Sequence, residues 1–156
     1  LIGISKAPNS EIAKQLSKYD IYGFDSFEGL PEFWRDGFDK GAFAVDNLPQ
    51  VEKNIKLIKG WFDKTLPTFI QTEKRDIAYL HVDCDLYSST KTIFEALGNQ
   101  IVTGTVIVFD EYFNFSGWEN DEYKAFQEFI KLTGKEYKYL TFNHLHEQVA
   151  VIITKG

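Results

Sequence analysis

The sequence predicts an α/β fold: a mostly parallel sheet with helices on both faces and a C-terminal antiparallel hairpin. Three observations predict it. Apolar runs of strand length alternate with stretches of helical periodicity. Three of those runs finish in a carboxylate, at Asp25, Asp83 and Asp110. The last two runs alternate apolar with polar residues around a short turn, the pattern of a hairpin. No Pro- or Gly-rich linker and no internal repeat divides the 156 residues, so residues 1–156 are read as a single domain.

The elements follow in order. Leu1–Ser5 reads as a short strand. Ser10 caps a helix over Glu11–Ser17, with Ile12, Ala13 and Leu16 on one face. Ile21–Phe24 is a buried strand ending at Asp25. Residues 26–46 hold Gly29, Pro31, Gly37 and Gly41 and read as a long loop. Leu48–Lys53 looks like one or two helical turns. Ile55–Lys59 is a strand stopped at Gly60, and Gly60-Trp61-Phe62-Asp63 reads as a turn. Asp76–Val82 is a strand ending in Asp83. Ser88–Leu97 is a helix with Gly98 as its stop. Ile101–Phe109 is a strand ending at Asp110. Asn120–Leu132 has apolar residues at 123, 126, 129 and 130, a helical spacing closed by Gly134. Charges on one side and aromatics on the other mark Trp118–Phe129 as a plain surface helix. Tyr137–Asn143 and Gln148–Thr154 form the hairpin, around a turn at Leu145–Glu147.

Composition narrows the function classes. Hydrophobic residues make up 44% and charged residues 26%, a mixture that packs a core rather than staying disordered. Lys plus Arg is 17 against 23 Asp plus Glu, a net charge of −6 that repels phosphate backbones, so no nucleic-acid partner is expected. Apolar stretches such as Thr105–Phe109 fall far short of the roughly 20 residues of a membrane span, so no membrane partner is expected either. The single cysteine, Cys84, excludes an internal disulfide; with no basic-then-apolar leader in view, the expected location is cytoplasmic. The chain has no Met and opens Leu1-Ile2-Gly3, which reads as a fragment whose N-terminal part is missing.

Ligands of parallel α/β sheets bind outside the C-terminal strand ends. There Leu80-His81-Val82-Asp83-Cys84-Asp85 offers two acids two residues apart, on one side if extended geometry persists. Phe109-Asp110-Glu111 offers two more at the end of the next strand, about 4.8 Å away. Like charges that close require a shared proton or a cation, and an all-oxygen set suits a hard ion such as Mg²⁺. The bland alternative is that Asp85 and Ser88 merely cap the following helix. Asp25 stands where an acid accepts hydrogen bonds from ribose hydroxyls. At Gly60-Trp61 a glycine permits close approach and an aromatic can stack on a flat base. The segment Gly3–Ser10 has one glycine and is a poor phosphate cradle. His81 reads as a packed, hydrogen-bonded residue, and His144 and His146 as a solvated turn. Cys84 lies between carboxylates that raise a thiol's pKa, so it is not nominated as a nucleophile. An apolar strand followed by Asp-x-Asp also opens haloacid-dehalogenase phosphatases and marks nucleotide-sugar glycosyltransferases. A third alternative is an inert domain that keeps the fold without the chemistry.

Four segments in sequence carry a resemblance: Tyr22-Gly23-Phe24-Asp25-Ser26-Phe27-Glu28-Gly29-Leu30-Pro31, Lys59-Gly60-Trp61-Phe62-Asp63-Lys64-Thr65-Leu66-Pro67, Leu80-His81-Val82-Asp83-Cys84-Asp85-Leu86-Tyr87-Ser88-Ser89-Thr90 and Val106-Ile107-Val108-Phe109-Asp110-Glu111-Tyr112. Together they resemble the macrocin O-methyltransferase (TylF-type) family over about residues 1–130. The resemblance implies a Rossmann-like class I methyltransferase fold, S-adenosyl-L-methionine as methyl donor and a glycosylated small-molecule acceptor. It implies Mg²⁺ held by Asp83, Asp110 and Glu111, and Asp85 as general base. It also implies cofactor contacts at Gly3, Asp25, Ser26, Phe27, Gly60, Trp61 and Asp83, and a homodimer. The pattern departs where Leu1 replaces an acid and Ala7-Pro8-Asn9 replaces further glycines.

Overall fold

The computed structural model describes residues 20–156. The expected strand at Leu1–Ser5, the helix at Glu11–Ser17 and the loop residue Gly3 lie outside the described residues.

Strand β1 (Ile21–Asp25) buries Ile21 and Phe24 and runs parallel to β2 (Ile55–Lys59), with Ile21 opposite Ile55 and Asp25 opposite Lys59. The long irregular connection between them is found as expected, but the helical turns expected over Leu48–Lys53 are not; those residues are irregular and end in a turn. Pro49 accounts for this, because the residue before a proline is driven out of the helical region. The turn that follows closes by the Ile55 amide donating to Glu52 O at 2.9 Å.

Beyond β2, Gly60 adopts φ +140° and its amide donates to Asp25 O at 2.9 Å, tying the two strand ends together. The chain then enters α1 (Phe62–Thr72), a helix that the sequence reading did not identify. Phe62, Leu66, Phe69 and Ile70 lie at helical spacing and pack on the core, with Leu66 fully buried.

Strand β3 (Tyr79–Val82) pairs in parallel with β4 (Val106–Phe109), with Tyr79 opposite Val106 and Val82 opposite Phe109. Both are shorter than expected at their starts. Residues 102–105 form a turn with Gly104 at φ +96°. The Thr105 hydroxyl accepts the Val102 amide at 3.0 Å and donates to Ile77 O at 2.6 Å, so side-chain bonds replace the strand ladder there.

Helix α2 (Tyr87–Leu97) buries Thr90, Ile93, Phe94 and Leu97. Helix α3 (Glu122–Thr133) follows a short 3₁₀ turn at Trp118–Asn120 and ends at Gly134 in the left-handed region, φ +69°. The three helices among the described residues pack side by side: α1 on α2 and β1, α2 on α3. The α2–α3 contact is aromatic, with Phe94 stacked on Phe129 at 4.6 Å between ring centres. A side chain at Gly98 would meet that Phe129 ring at 3.0 Å. The hairpin is β5 (Glu136–Phe142) and β6 (Val149–Lys155). Strand β6 lies antiparallel between β4 and β5, giving the order β3-β4-β6-β5. His144 and His146 sit exposed in its turn. No helix among the described residues is long and apolar enough to cross a membrane.

Candidate functional site

Strands β1 and β2 form a two-stranded sheet and β3, β4, β6 and β5 a four-stranded one, and the carboxyl ends of β1, β3 and β4 meet at a cavity of about 490 Å³. Every described residue expected at the site lines it: Asp25, Ser26, Phe27, Gly60, Trp61, Asp83, Asp85, Asp110 and Glu111. Its apolar side is made by Leu30, Phe43, Val45 and Pro49 of the long loop.

The acidic side is built by strand register. The Asp110 amide donates to Val82 O at 2.9 Å, which carries the β3–β4 ladder one step past Phe109 and sets Asp110 beside Asp83. Asp83, Asp110 and Glu111 each offer a carboxylate oxygen, all within 4.8 Å of one another. Burial, then Asp110, pushes the Asp83 carboxyl up to about 6. Glu111 is pushed up to about 12, by burial first and then by the neighbouring acids Glu122, Asp85, Asp110 and Asp83. Asp110 moves the other way, chiefly because His81 faces it, with Nε2 3.9 Å from Asp110 Oδ1. The His81 ring is packed as expected, but its Nδ1 has no hydrogen-bond partner among the described residues.

These donors fit a hard divalent cation. Glu111 Oε2 is buried without a hydrogen-bond partner among the described residues, which is costly for a polar atom unless something else satisfies it. Three converging carboxyl groups supply an all-oxygen set.

Asp85 reaches the cavity by a different route from the one expected. Extended geometry stops at Val82. The Leu86 amide donates to Cys84 O at 2.6 Å, closing a three-residue turn centred on Asp85 at φ +62°. Neither Asp85 nor Ser88 caps α2: the cap position is Leu86, with no side-chain bond, and the Ser88 hydroxyl donates to Glu32 at 2.7 Å. Asp85 is buried, and burial followed by Asp83 pushes its carboxyl up to about 7, while Arg35 pulls it down. That arginine lies 3.8 Å over the Trp34 ring and pairs with Glu147 at 3.1 Å, fastening the long loop to the hairpin turn.

At the other end of the cavity Asp25 Oδ1 accepts the Phe27 amide at 2.5 Å, which holds the carboxyl at the head of the long loop. Burial pushes this carboxyl up. The Ser26 hydroxyl accepts the Glu28 amide at 3.1 Å and so shapes the loop as well as lining the cavity. Gly29, at φ +79°, is a requirement of that loop: a Cβ there would sit 2.3 Å from Ala42 O.

Glu122 was missed by the sequence reading, and the plain surface helix expected around it is corrected here. It is the first residue of α3 and fully buried. One oxygen accepts the Cys84 amide and the other the Glu111 amide, both at 3.3 Å. An acid in the first turn of a helix ordinarily complements the dipole from solvent, so nothing in the spacing distinguishes this one. Burial pushes the Cys84 thiol well up, with Glu122 adding to it, in keeping with an unreactive cysteine.

Comparison with known proteins places this geometry. The sequence model of the macrocin-O-methyltransferase (TylF) family matches residues 40–135, more than half of the chain. The demethyldecarbamoylnovobiocin O-methyltransferase of Streptomyces niveus is 28% identical over 127 residues, covering 67% of this chain and 47% of that protein. The 8-demethyl-8-(2,3-dimethoxy-alpha-L-rhamnosyl)-tetracenomycin-C 4'-O-methyltransferase of Streptomyces olivaceus is 31% identical over 112 residues, covering 59% of this chain and 41% of that protein. The chain thus spans less than half the length of these curated relatives. Among solved structures, the calicheamicin methyltransferase CalS11 superposes with a TM-score of 0.69 at 22% identity, over 92% of this chain and 65% of that one. The O-methyltransferase NovP gives 0.68 at 21%, over 94% and 66%. At these identities the superpositions establish the fold, a class I methyltransferase sheet with its terminal hairpin. The phosphatase and glycosyltransferase readings of Asp83-x-Asp85 give way to the family match. The chain belongs to the macrocin O-methyltransferase (TylF) family.

Proposed function

We propose that the protein containing this chain transfers the methyl group of S-adenosyl-L-methionine to a hydroxyl of a sugar, or another vicinal diol, on a small natural product, with Mg²⁺ assistance. The observation that carries this reading is the meeting of three carboxylate oxygens within 4.8 Å in the same cavity that Asp25 and Trp61 line. Family membership and two relatives named as O-methyltransferases, one of them of a rhamnosyl group, support the acceptor class.

Asp83, Asp110 and Glu111 would hold the cation. When bound, it supplies Lewis acidity, orienting two adjacent hydroxyls and lowering the pKa of one. Asp85 accepts the proton released as that hydroxyl oxygen takes the methyl group; its buried, raised carboxyl is matched to proton transfer near neutral pH. Asp25 accepts hydrogen bonds from the ribose of the methyl donor, with Ser26 and Phe27 setting the loop behind it. Gly60 lets the adenine approach the backbone, and Trp61 flanks it. Gly3 belongs to the same reading and lies outside the described residues.

The test uses the full-length protein, methyl-labelled donor and a panel of glycosylated acceptors. Label transfer is expected, lost with a chelator and restored by Mg²⁺, and lost in Asp83→Ala. Chelator-insensitive transfer rejects the metal. Calorimetric silence toward S-adenosylhomocysteine rejects the methyltransferase reading and leaves an inert domain.

A further inference from the structure

We propose that Glu122 is a positioning residue that sets the spacing of the acidic cluster by bracing the two strand-end loops against each other. This rests on the metal-assisted reading above and deepens it.

The cluster draws its acids from two separate loops. Asp83 and Asp85 follow β3, and Asp110 and Glu111 follow β4. The last ladder bond between them among the described residues runs from the Asp110 amide to Val82 O, so strand pairing holds the loops together only up to Asp110. Beyond that point the described bond network offers one bridge. Glu122 Oε1 takes the Cys84 amide, between the two acids of the first loop, and Oε2 takes the Glu111 amide, at the third acid of the set. The Cys84 thiol also points at Oε1, at 3.9 Å. The carboxylate is fully buried on the helix side of the loops and does not line the cavity, so it faces the acids' backbones rather than any ligand. Its own anchor is rigid: Ala125, Phe126 and Phe129 bury the next turns of α3 beneath it.

A carboxyl group is suited to this task because both of its oxygens can accept an amide, even with burial pushing it well above the ordinary carboxylate range. Two amides aimed at one group from different loops therefore fix the loops' separation. A glutamine of the same shape presents one oxygen and one NH₂; whichever way it turns, a donor faces one of the two amides. The buried acid is costly in the midst of like charges, and its retention at full burial is explained by this double acceptance.

Glu122→Gln in the full-length protein is the test, read by direct binding of Mn²⁺, followed by electron paramagnetic resonance or calorimetry, and by S-adenosylhomocysteine binding. Mn²⁺ is expected to bind about tenfold or more weakly than in the unmodified protein, the range for loss of a group that orients ligands. S-adenosylhomocysteine affinity, which rests mainly on contacts outside the braced loops, with Asp83 the one contact on them, is expected to fall less than the Mn²⁺ affinity, staying within about threefold. A merely structural role would lower the melting temperature and leave the Mn²⁺ affinity of the folded protein unchanged; that outcome overturns the proposal alone. If the unmodified protein binds no Mn²⁺, the metal reading fails and this inference with it. If Glu122→Gln does not fold, amide hydrogen exchange in the unmodified protein decides. Slow exchange at Cys84 and Glu111 supports the brace, and exchange at the rate of exposed amides overturns it.

Discussion

Asp85 combines a chemical assignment with an unfavourable backbone. At φ +62° it occupies a region that side chains with a Cβ enter at a cost of order 1 kcal/mol or more, and it does so buried among other acids. Both costs belong to the folded state, and neither is offset by a helix cap. Asp85→Gly removes both and so is expected to raise thermal stability while abolishing methyl transfer; Asp85→Asn keeps the backbone strain and gains less. Melting curves read beside single-turnover assays separate the two effects, and a Gly variant less stable than the unmodified protein would show that the turn is not strained. Gly29 shows the opposite relation. Its φ of +79° and the 2.3 Å approach to Ala42 O leave no room for a side chain. Gly29→Ala is expected to destabilise by roughly 1–3 kcal/mol and to weaken S-adenosylhomocysteine binding through the Asp25 loop, measurable by denaturant melts and calorimetry.

At the scale of elements, helix α1 carries a proline in its exposed middle. Pro67 removes the amide that would bond to Asp63 O, and Pro67→Ala is expected to stabilise the fold by roughly 1–3 kcal/mol, less the entropy the unfolded chain regains. The same residue explains why α1 was illegible: Gly60 precedes and Pro67 interrupts a stretch whose 62, 66, 69, 70 spacing shows only when both are read past. Strands β1, β3 and β4 were legible because each is an apolar run cut short by an acid, and a strand end turns sequence position directly into spatial position. That is why Asp25, Asp83, Asp110 and Glu111 could be placed on one edge in advance. Glu122 could not, since only packing of α3 against the loops buries it. The end of α1 also carries a pH-sensitive tie. Arg75 pairs with Glu73 and, at 3.1 Å, with Asp20 ahead of β1, and it holds Glu73 down to about 2. A lowered carboxyl stabilises above its ordinary value near 4.5 and loses that contribution as pH falls through about 2. Arg75→Ala is therefore expected to reduce stability slightly at neutral pH, with the gap to the unmodified protein closing under acid titration.

Across the whole molecule, the cavity edge concentrates buried acids that few basic groups face. The chain is at −6 overall, and Asp83, Asp85, Asp110, Glu111 and Glu122 crowd one end of the β3–β4 pair. His81 and Arg35 are the basic groups that act on this cluster in the described residues, His81 on Asp83 and Asp110 and Arg35 on Asp85. Burying these acids together is therefore a folding cost in the absence of a cation, met partly as repulsion and partly as retained protons, and a ligand that binds only the folded state stabilises by mass action. At a concentration about 100 times its dissociation constant Mg²⁺ is expected to add roughly 2.7 kcal/mol, seen as a rise of several degrees in melting temperature that a chelator reverses. Asp83→Asn separates the two halves of this argument. It relieves repulsion, so the metal-free protein is expected to melt at or above the unmodified protein's temperature, and it removes a ligand, so the Mg²⁺-dependent rise is expected to vanish. A variant that melts lower without metal yet keeps its Mg²⁺ response would mean that Asp83 supports the loop and that the cation is held elsewhere.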